Sequence, residues 1–211
     1  MLGAEKFQNV LDLGCGEGTF TVGIKERLGL VKVVGVDNNR ENMKKADAAG
    51  VETVFSDLNQ PLPFPDASFD LIFSNFAIEH LFNVDNFIKE IKRILKVGGC
   101  AIVGTENLAS THNLLALVLG MQPFPMSIAL SSHFRVGNSL QDNNLKPLTS
   151  QENPHIRVFA YQGLKDIFRV YAFKVERVAG SGYPPFWGWL GTFLAKVDPR
   201  HAAFNLIKVR K

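Results

Sequence analysis

The chain has 211 residues, of which 46% are apolar and 20% charged, a composition that excludes a disordered, collagen-like or coiled-coil protein. Its formal net charge is +3, and its basic residues are scattered, which disfavours a nucleic-acid partner. The length favours a single domain over residues 1–211. Cys15 and Cys100 lie outside any metal-ligand spacing and no signal peptide is evident, so we expect no metal site and a reducing, cytoplasmic setting.

Strands and helices alternate over the first 105 residues, which predicts an α/β fold with a parallel sheet and crossover helices on both faces. The fourth strand is followed by a helix that Gly98 and Gly99 are predicted to end. The predicted strands are 9–13, 31–36, 51–55, 69–74 and 100–104, and the predicted helices are 19–28, 40–49 and 84–95.

Residues 107–155 interrupt this alternation with a mixture of polar, proline and apolar segments. Long stretches without periodicity are often lids or binding loops, so we expect an acceptor-binding insert or lid after the fifth strand. A helix at 161–168 and strands at 172–178 and 204–209 follow, which brings the predicted sheet to seven strands.

The glycine cluster at residues 14–18 follows the first strand and precedes the first helix. Gly14, Gly16 and Gly18 occupy the first, third and fifth positions, whereas a nicotinamide fingerprint requires the first, third and sixth. Asp12 lies two residues before the first glycine, where a carboxylate can face a cationic group but would repel a pyrophosphate. The pattern therefore favours a ligand with a positive charge.

Polar residues also end the next three strands. Asp37 is placed to bind the two hydroxyls of a ribose, and Asp57 with Leu58 suits the edge and face of an adenine. The fourth strand ends in Asn75 and Phe76. In a parallel sheet, ligands bind beyond the carboxyl ends of the strands, so these residues are expected to line one site.

Six segments in register resemble the class I S-adenosylmethionine-dependent methyltransferases, in the small-molecule branch that includes ubiquinone and menaquinone methyltransferases. The resemblance covers residues 10–106 and implies a Rossmann-like sheet of seven strands, the last antiparallel. The matching segments are 11–18, 35–37, 57–58, 63–72, 79–81 and 95–99.

The resemblance implies S-adenosyl-L-methionine as the cofactor and assigns roles to the residues at the strand ends. Asp12, Gly14, Cys15, Gly16 and Gly18 would surround the methionine moiety, with Asp12 near its ammonium group. The remaining assignments are Asp37 and Asn38 along the ribose and adenosine, Asp57 and Leu58 at the adenine, and Asn75 and Phe76 near the methyl group.

Methyl transfer to a hydroxyl requires a group that accepts its proton, and histidine is the usual choice. We expect His155 in this role, followed by His80 and His133. The expected acceptor is a small, partly apolar molecule methylated at oxygen. Carbon methylation of a quinone-like acceptor and a catalytically silent binding protein remain alternatives.

The chain contains 17 phenylalanines but only three tyrosines and two tryptophans. One group fits core positions: Phe20, Phe55, Phe69, Phe73 and Phe87. A second group predicts an apolar acceptor pocket: Phe124, Phe134, Phe159, Phe186 and Phe193. Near Phe186 and Phe193, Trp187 and Trp189 leave two interpretations open, of which packing over the pocket and sheet edge is favoured over contact with a membrane surface.

Overall fold

The computed structural model describes residues 1–2, 5–30, 32–126, 128–129, 135–141 and 155–211. His133 and Phe134 lie outside these residues. The chain forms two compact units: residues 1–104, 165–177 and 207–211 make up unit 1, and residues 105–164 and 178–206 make up unit 2. The expected acceptor-binding role of 107–155 stays a prediction.

A seven-stranded mixed sheet, whose last strand is antiparallel, forms the centre of the fold and confirms the predicted α/β class. The strands are β1 Val10–Leu13, β2 Val34–Asp37, β3 Glu52–Phe55, β4 Phe69–Asn75, β5 Leu95–Glu106, β6 Ile128–Ala129, β7 Arg135–Val136, β8 Lys174–Ser181 and β9 Phe204–Arg210. The strand order of the sheet is β3-β2-β1-β4-β5-β9-β8, and β6 pairs separately with β7.

Six α-helices accompany these strands in the described part of the chain. They are α1 Thr19–Leu28, α2 Arg40–Ala48, α3 Val84–Ile94, α4 Thr111–Val118, α5 Tyr161–Val170 and α6 Gly188–Val197. Helices α4 and α6 and the β6–β7 hairpin are additions to the predicted elements. Short 3-10 turns lie at Ile78–His80 and Phe124–Met126. Among the described residues, no helix combines the length and apolar character needed to cross a bilayer.

Parallel pairing explains the buried, apolar strands at the centre of unit 1. β1 pairs with β2 on one side and with β4 on the other, and all four of its residues are buried. Val10 of β1, Leu71 of β4 and Ile24 of α1 pack in one apolar cluster. Burial of such side chains contributes about 1.5–3 kcal/mol each. The stable sheet therefore fixes the strand ends from which the site is built.

Two of the five predicted core phenylalanines are exposed, so that assignment is wrong for them. Phe20 and Phe55 keep 42% and 47% of their surface accessible. The Arg40 guanidinium covers the Phe55 ring at 4.2 Å from its centroid, and Phe20 makes an edge contact with Phe73 at 6.1 Å. Each ring thus has a partner, although the side chain stays largely exposed.

The glycine pair that was expected to end α3 instead lies within β5. The helix ends at Ile94, and Leu95 is already extended, with φ −71° and ψ 137°. A Cβ on Gly99 would come within 2.9 Å of the Lys96 carbonyl oxygen and 3.2 Å of the Asp70 carbonyl oxygen. The glycine therefore allows a close backbone approach within the sheet rather than a helix stop.

Candidate functional site

The glycine loop turns between β1 and α1 with three residues in the left-handed region. Gly14, Gly16 and Gly18 have φ values of 81°, 54° and 84°. The Val36 carbonyl oxygen accepts the N–H groups of both Gly14 and Cys15, at 2.8 and 3.0 Å. A Cβ on Gly14 would lie 2.8 Å from the Ala77 Cβ, whereas one on Gly16 would meet no atom within 4 Å. The loop is thus packed behind Gly14 and open beside Gly16.

Asp12 is a buried carboxylate at the start of this loop, with 1% of its surface exposed. Its Oδ2 accepts a 2.6 Å hydrogen bond from the Thr21 hydroxyl, and among the described residues its Oδ1 has no hydrogen-bond partner. Burial raises the pKa of Asp12 to about 6; the Thr21 bond opposes this shift, and the nearby Asp37 charge adds to it. A buried carboxylate with an unpartnered oxygen is suited to receive a cationic group.

Asp37 ends β2 and orients the loop from the neighbouring strand. Its Oδ2 accepts the Gly16 N–H at 2.9 Å, and its Oδ1 accepts the Asn39 N–H at 2.8 Å. Each carboxylate oxygen has a second lone pair, so Asp37 retains acceptor capacity for ligand hydroxyls. Asn38, which follows it, is exposed.

The end of β3 supplies a polar and an apolar group in sequence. Asp57 Oδ1 accepts both the backbone N–H and the side-chain amide of Asn59, at 2.9 and 2.8 Å. Leu58 is buried, and its Cδ1 would lie 3.9 Å from a Cβ on Gly14. Leu58 therefore lies next to the glycine loop, and the adenine contacts of Asp57 and Leu58 stay a prediction.

Phe76 is held in a conformation that bulky side chains rarely adopt. Its φ is 55°, its N–H donates to the Gly104 carbonyl oxygen at 3.0 Å, and 40% of its surface is exposed. Left-handed backbone at a non-glycine residue costs about 1–2 kcal/mol and is concentrated at functional sites. Asn75 precedes it as the partly buried last residue of β4.

The histidines lie in both units. His80 ends the 3-10 turn in unit 1, where its N–H donates to the Ala77 carbonyl oxygen at 3.0 Å. In unit 2, His155 Nδ1 donates to the Pro125 carbonyl oxygen at 2.8 Å. This bond fixes the proton on Nδ1, because a carbonyl only accepts, and a neutral imidazole then carries its basic lone pair on Nε2.

Several polar residues that support the site escaped sequence reasoning. Thr21 binds Asp12, Asn59 orients Asp57, and the Ser74 hydroxyl donates to the Leu13 carbonyl oxygen at 2.9 Å. In unit 2, His112 has a buried Nδ1 without a partner in the described chain, and burial lowers its pKa. Thr21, Asn59 and Ser74 are short polar residues near a strand end or a helix start, and this position was the only sign of their role in the sequence.

Residues 11–103 match a family model described as a methyltransferase domain. An uncharacterized methyltransferase of Schizosaccharomyces pombe is 34% identical over 118 residues, which are 50% of this chain and 42% of that protein. A demethylmenaquinone methyltransferase of Listeria welshimeri is 32% identical over 107 residues, 47% of this chain and 45% of that protein. The chain spans less than half the length of these two curated relatives.

The fold is also found among solved structures. An S-adenosylmethionine-dependent methyltransferase of Thermotoga maritima, described as a possible histamine N-methyltransferase, aligns with a TM-score of 0.66. The alignment covers 98% of this chain and 83% of that one at 20% identity. The likeness therefore concerns the fold, a seven-stranded Rossmann-like sheet.

Proposed function

We propose that this chain transfers the methyl group of S-adenosyl-L-methionine to a small, partly apolar acceptor, at oxygen, because residues 11–103 match a family model described as a methyltransferase domain. The observation that carries the proposal is the Asp12 carboxylate, buried below three left-handed glycines with one oxygen unpartnered among the described residues. A pyrophosphate would be repelled there, whereas an ammonium group would be stabilised.

The residues present fit this cofactor. Asp12 and the loop of Gly14, Cys15, Gly16 and Gly18 would hold the methionine moiety, whose ammonium compensates the buried carboxylate. The other contacts would come from Asp37 and Asn38 at the ribose, Asp57 and Leu58 at the adenine, and Asn75 and Phe76 beside the methyl group. When bound, the cofactor supplies an electrophilic methyl on a sulfonium and leaves as S-adenosyl-L-homocysteine.

Loss of the acceptor's proton is assigned to a histidine of the chain. His155 holds its own proton on Nδ1 through Pro125, which is the tautomer that a general base at Nε2 needs. His80 and His133 remain the alternatives, and acceptor binding is assigned to residues 107–155. Two buried free thiols, Cys15 and Cys100, support the cytoplasmic setting proposed with this activity.

Carbon methylation of a quinone-like acceptor is the second candidate. It is supported by the similarity to the Listeria demethylmenaquinone methyltransferase and by the aromatic residues of the second half of the chain. A third candidate, a silent binding protein, shares the cofactor site and differs only in turnover.

Calorimetric titration of the cofactor and of S-adenosyl-L-homocysteine tests the site. We expect Asp37→Asn to weaken binding at least tenfold, because it removes the charge that orients the loop and receives the hydroxyls. The matched control is Asp166→Asn, an exposed carboxylate paired with Arg169 in the same unit. If the wild-type chain binds neither compound, the proposal is wrong.

A screen with methyl-labelled cofactor then distinguishes the three activities. Phenolic, quinone and amine acceptors are compared with wild-type protein, followed by His155→Ala, His80→Ala, His133→Ala and His112→Ala on the best acceptor. Full turnover in every variant would overturn the general-base assignment. Binding without transfer to any acceptor would favour the silent protein.

A further inference from the structure

We propose that one face of α6 in unit 2 binds to the headgroup region of a lipid bilayer, so that the protein lies on a membrane surface. This aromatic face consists of Trp187, Trp189, Phe193 and Val197, whose exposed fractions are 78%, 79%, 54% and 65%. Residues 189, 193 and 197 repeat every fourth position and so form one stripe along the helix. The inference does not depend on the proposed methyl transfer.

Helix α6 exposes its aromatic side chains. Its buried residues are the small Gly191 and Ala195, Leu190 and Leu194 are partly buried, and Trp189 and Phe193 face outward. A Cβ on Gly191 would lie 2.3 Å from the Phe186 carbonyl oxygen, and one on Gly180 would lie 2.7 Å from the Ala195 carbonyl oxygen. The inner side is therefore packed too closely to accept a large side chain, and the helix cannot rotate its tryptophans inward.

Helix α4 of the same unit also presents apolar residues to the outside. Its buried residues are Asn113 and Ala116. The Thr111 N–H donates to the His201 carbonyl oxygen at 3.1 Å, and its hydroxyl donates to the Pro184 carbonyl oxygen, so α4 is bonded to the chain on both sides of α6. The exposed apolar residues of α4 and its C-terminal end are Leu114, Leu115, Leu117, Val118 and Leu119.

Exposed large apolar residues in this number indicate an interaction site, and the charges around α6 favour lipid. α4 contains no charged residue, and the only charge within α6 is the exposed Lys196, next to the aromatic face. The one carboxylate in 183–201, Asp198, accepts hydrogen bonds from the Tyr183 hydroxyl at 3.0 Å and from His201 at 2.6 Å. An apolar face beside Lys196, with the nearby Asp198 carboxylate paired to Arg200 at 3.2 Å, is complementary to acyl chains beneath phosphate groups.

The two tryptophans strengthen the choice of a bilayer. Indole combines a large apolar ring with an N–H donor, and tryptophan is accordingly enriched at the membrane–water interface. In this chain both tryptophans lie on the aromatic face and nearly four-fifths of each remains exposed. Lys196 can extend its charged end to the headgroups while its stem lies along the apolar surface.

Intrinsic fluorescence measures this binding directly, because the chain has no tryptophan elsewhere. The full-length chain is mixed with phosphatidylcholine vesicles containing phosphatidylglycerol, and emission and co-sedimentation are recorded. We expect a blue shift, quenching by lipids brominated near the headgroup, and protein in the vesicle pellet. Unchanged emission together with protein only in the supernatant would overturn the proposal.

Paired variants locate the binding surface. Trp189→Ser with Phe193→Ser is expected to lower the vesicle partition coefficient at least tenfold, and Lys196→Gln to lower it severalfold on anionic vesicles only. The control is Val170→Ser, which removes a side chain that is 78% exposed in unit 1. Circular dichroism melting checks that each variant is folded. Trp187→Phe keeps the aromatic face and leaves Trp189 as the single tryptophan fluorophore.

A second copy of the chain is the competing occupant. Analytical ultracentrifugation without lipid would then give a dimer that the Trp189→Ser, Phe193→Ser variant dissociates. A dimer of this kind without vesicle binding would overturn the proposal. Equal vesicle binding by the aromatic variant and the Val170→Ser control would also contradict it.

Discussion

The Thr21 hydroxyl donates a 2.6 Å hydrogen bond to Asp12, which joins the first turns of α1 to the buried end of β1. This bond satisfies one oxygen of a carboxylate that is 1% exposed, and burial nevertheless raises the pKa of Asp12 to about 6. The site therefore contains an acid that titrates close to neutral pH.

Cofactor affinity is expected to depend on this titration. A cationic ammonium favours the ionised form of Asp12, so affinity should rise by up to tenfold per pH unit below about 6 and level off above it. Calorimetry from pH 5 to pH 8 measures the slope. Asp12→Asn should bind more weakly at pH 7.5 with a flat profile, and an unchanged slope in this variant would contradict the assignment.

Titration of the same carboxyl also changes folding stability, which should fall as pH rises, whereas cofactor affinity should rise. Its folded pKa of about 6 lies above the ordinary value of 3.8, so the ligand-free folded state holds the proton more tightly than the unfolded chain. The stabilisation from Asp12 is therefore complete below about pH 4 and is lost as pH rises towards 6. Urea titrations of wild type and Asp12→Asn should differ in slope over that interval, and parallel curves would disprove the shift.

Two glycines in different backbone contexts should respond oppositely to alanine. Gly14→Ala places a Cβ 2.8 Å from the Ala77 Cβ at a φ of 81°, and we expect a loss of about 2 kcal/mol. Gly23→Ala, within α1 and with open space around its Cβ, should gain about 0.5–1 kcal/mol. Denaturant midpoints measure both. Similar effects in the two variants would contradict the strain at Gly14.

The C-terminal end of α5 offers a stabilising substitution. Ala172 has a φ of 53°, and its N–H donates to the Arg169 carbonyl oxygen at 2.8 Å, which is the position that glycine usually occupies after a helix. Ala172→Gly relieves the left-handed strain, and we expect about 1 kcal/mol of added stability. Thermal unfolding with Gly163→Ala as a reference measures it. A lower Tm for Ala172→Gly would refute the prediction.

Acid stability should depend on a charge cluster formed with β9. Glu176 accepts hydrogen bonds from Arg210 and contacts Lys208 at 3.1 Å, and the Arg210 bond chiefly holds the pKa of Glu176 down, at about 2. A depressed pKa gives stability that is present above the ordinary value of 4.5 and lost as pH falls towards 2. Glu176→Gln should flatten the loss of stability below pH 4.5. A wild-type-like acid unfolding curve would contradict this.

The glycine loop and the sheet could be predicted because their signals are local. Strand β1 reads as a short apolar run that ends in glycines, and Asp12 and Asp37 stand at fixed distances from them. The structure brings these groups together through parallel pairing of β1 and β2. The alternation of strands and helices thus allowed the strand ends of unit 1 to be predicted from the sequence.

Helices α4 and α6 lacked such a signal. α4 has apolar residues on nearly all sides, so it shows no polar face. α6 contains Gly191 near its centre and follows Trp187, and neither residue is typical of a helix at that position. Phe20 and Phe55 were misplaced for a related reason, because a strand or helix position does not reveal which face a neighbour covers. Their surroundings depend on tertiary contacts that periodicity does not contain.

The two hydrogen bonds that the Val36 carbonyl oxygen accepts from Gly14 and Cys15 affect the rate of ligand binding. Since Gly14 and Cys15 are both bonded to β2 through main-chain atoms, the loop is already fixed in shape before a ligand arrives. Little conformational entropy then remains to be lost on association, so complex formation needs no slow ordering step. Encounter would be limited by diffusion and orientation, and residence time would be set by the carboxylates.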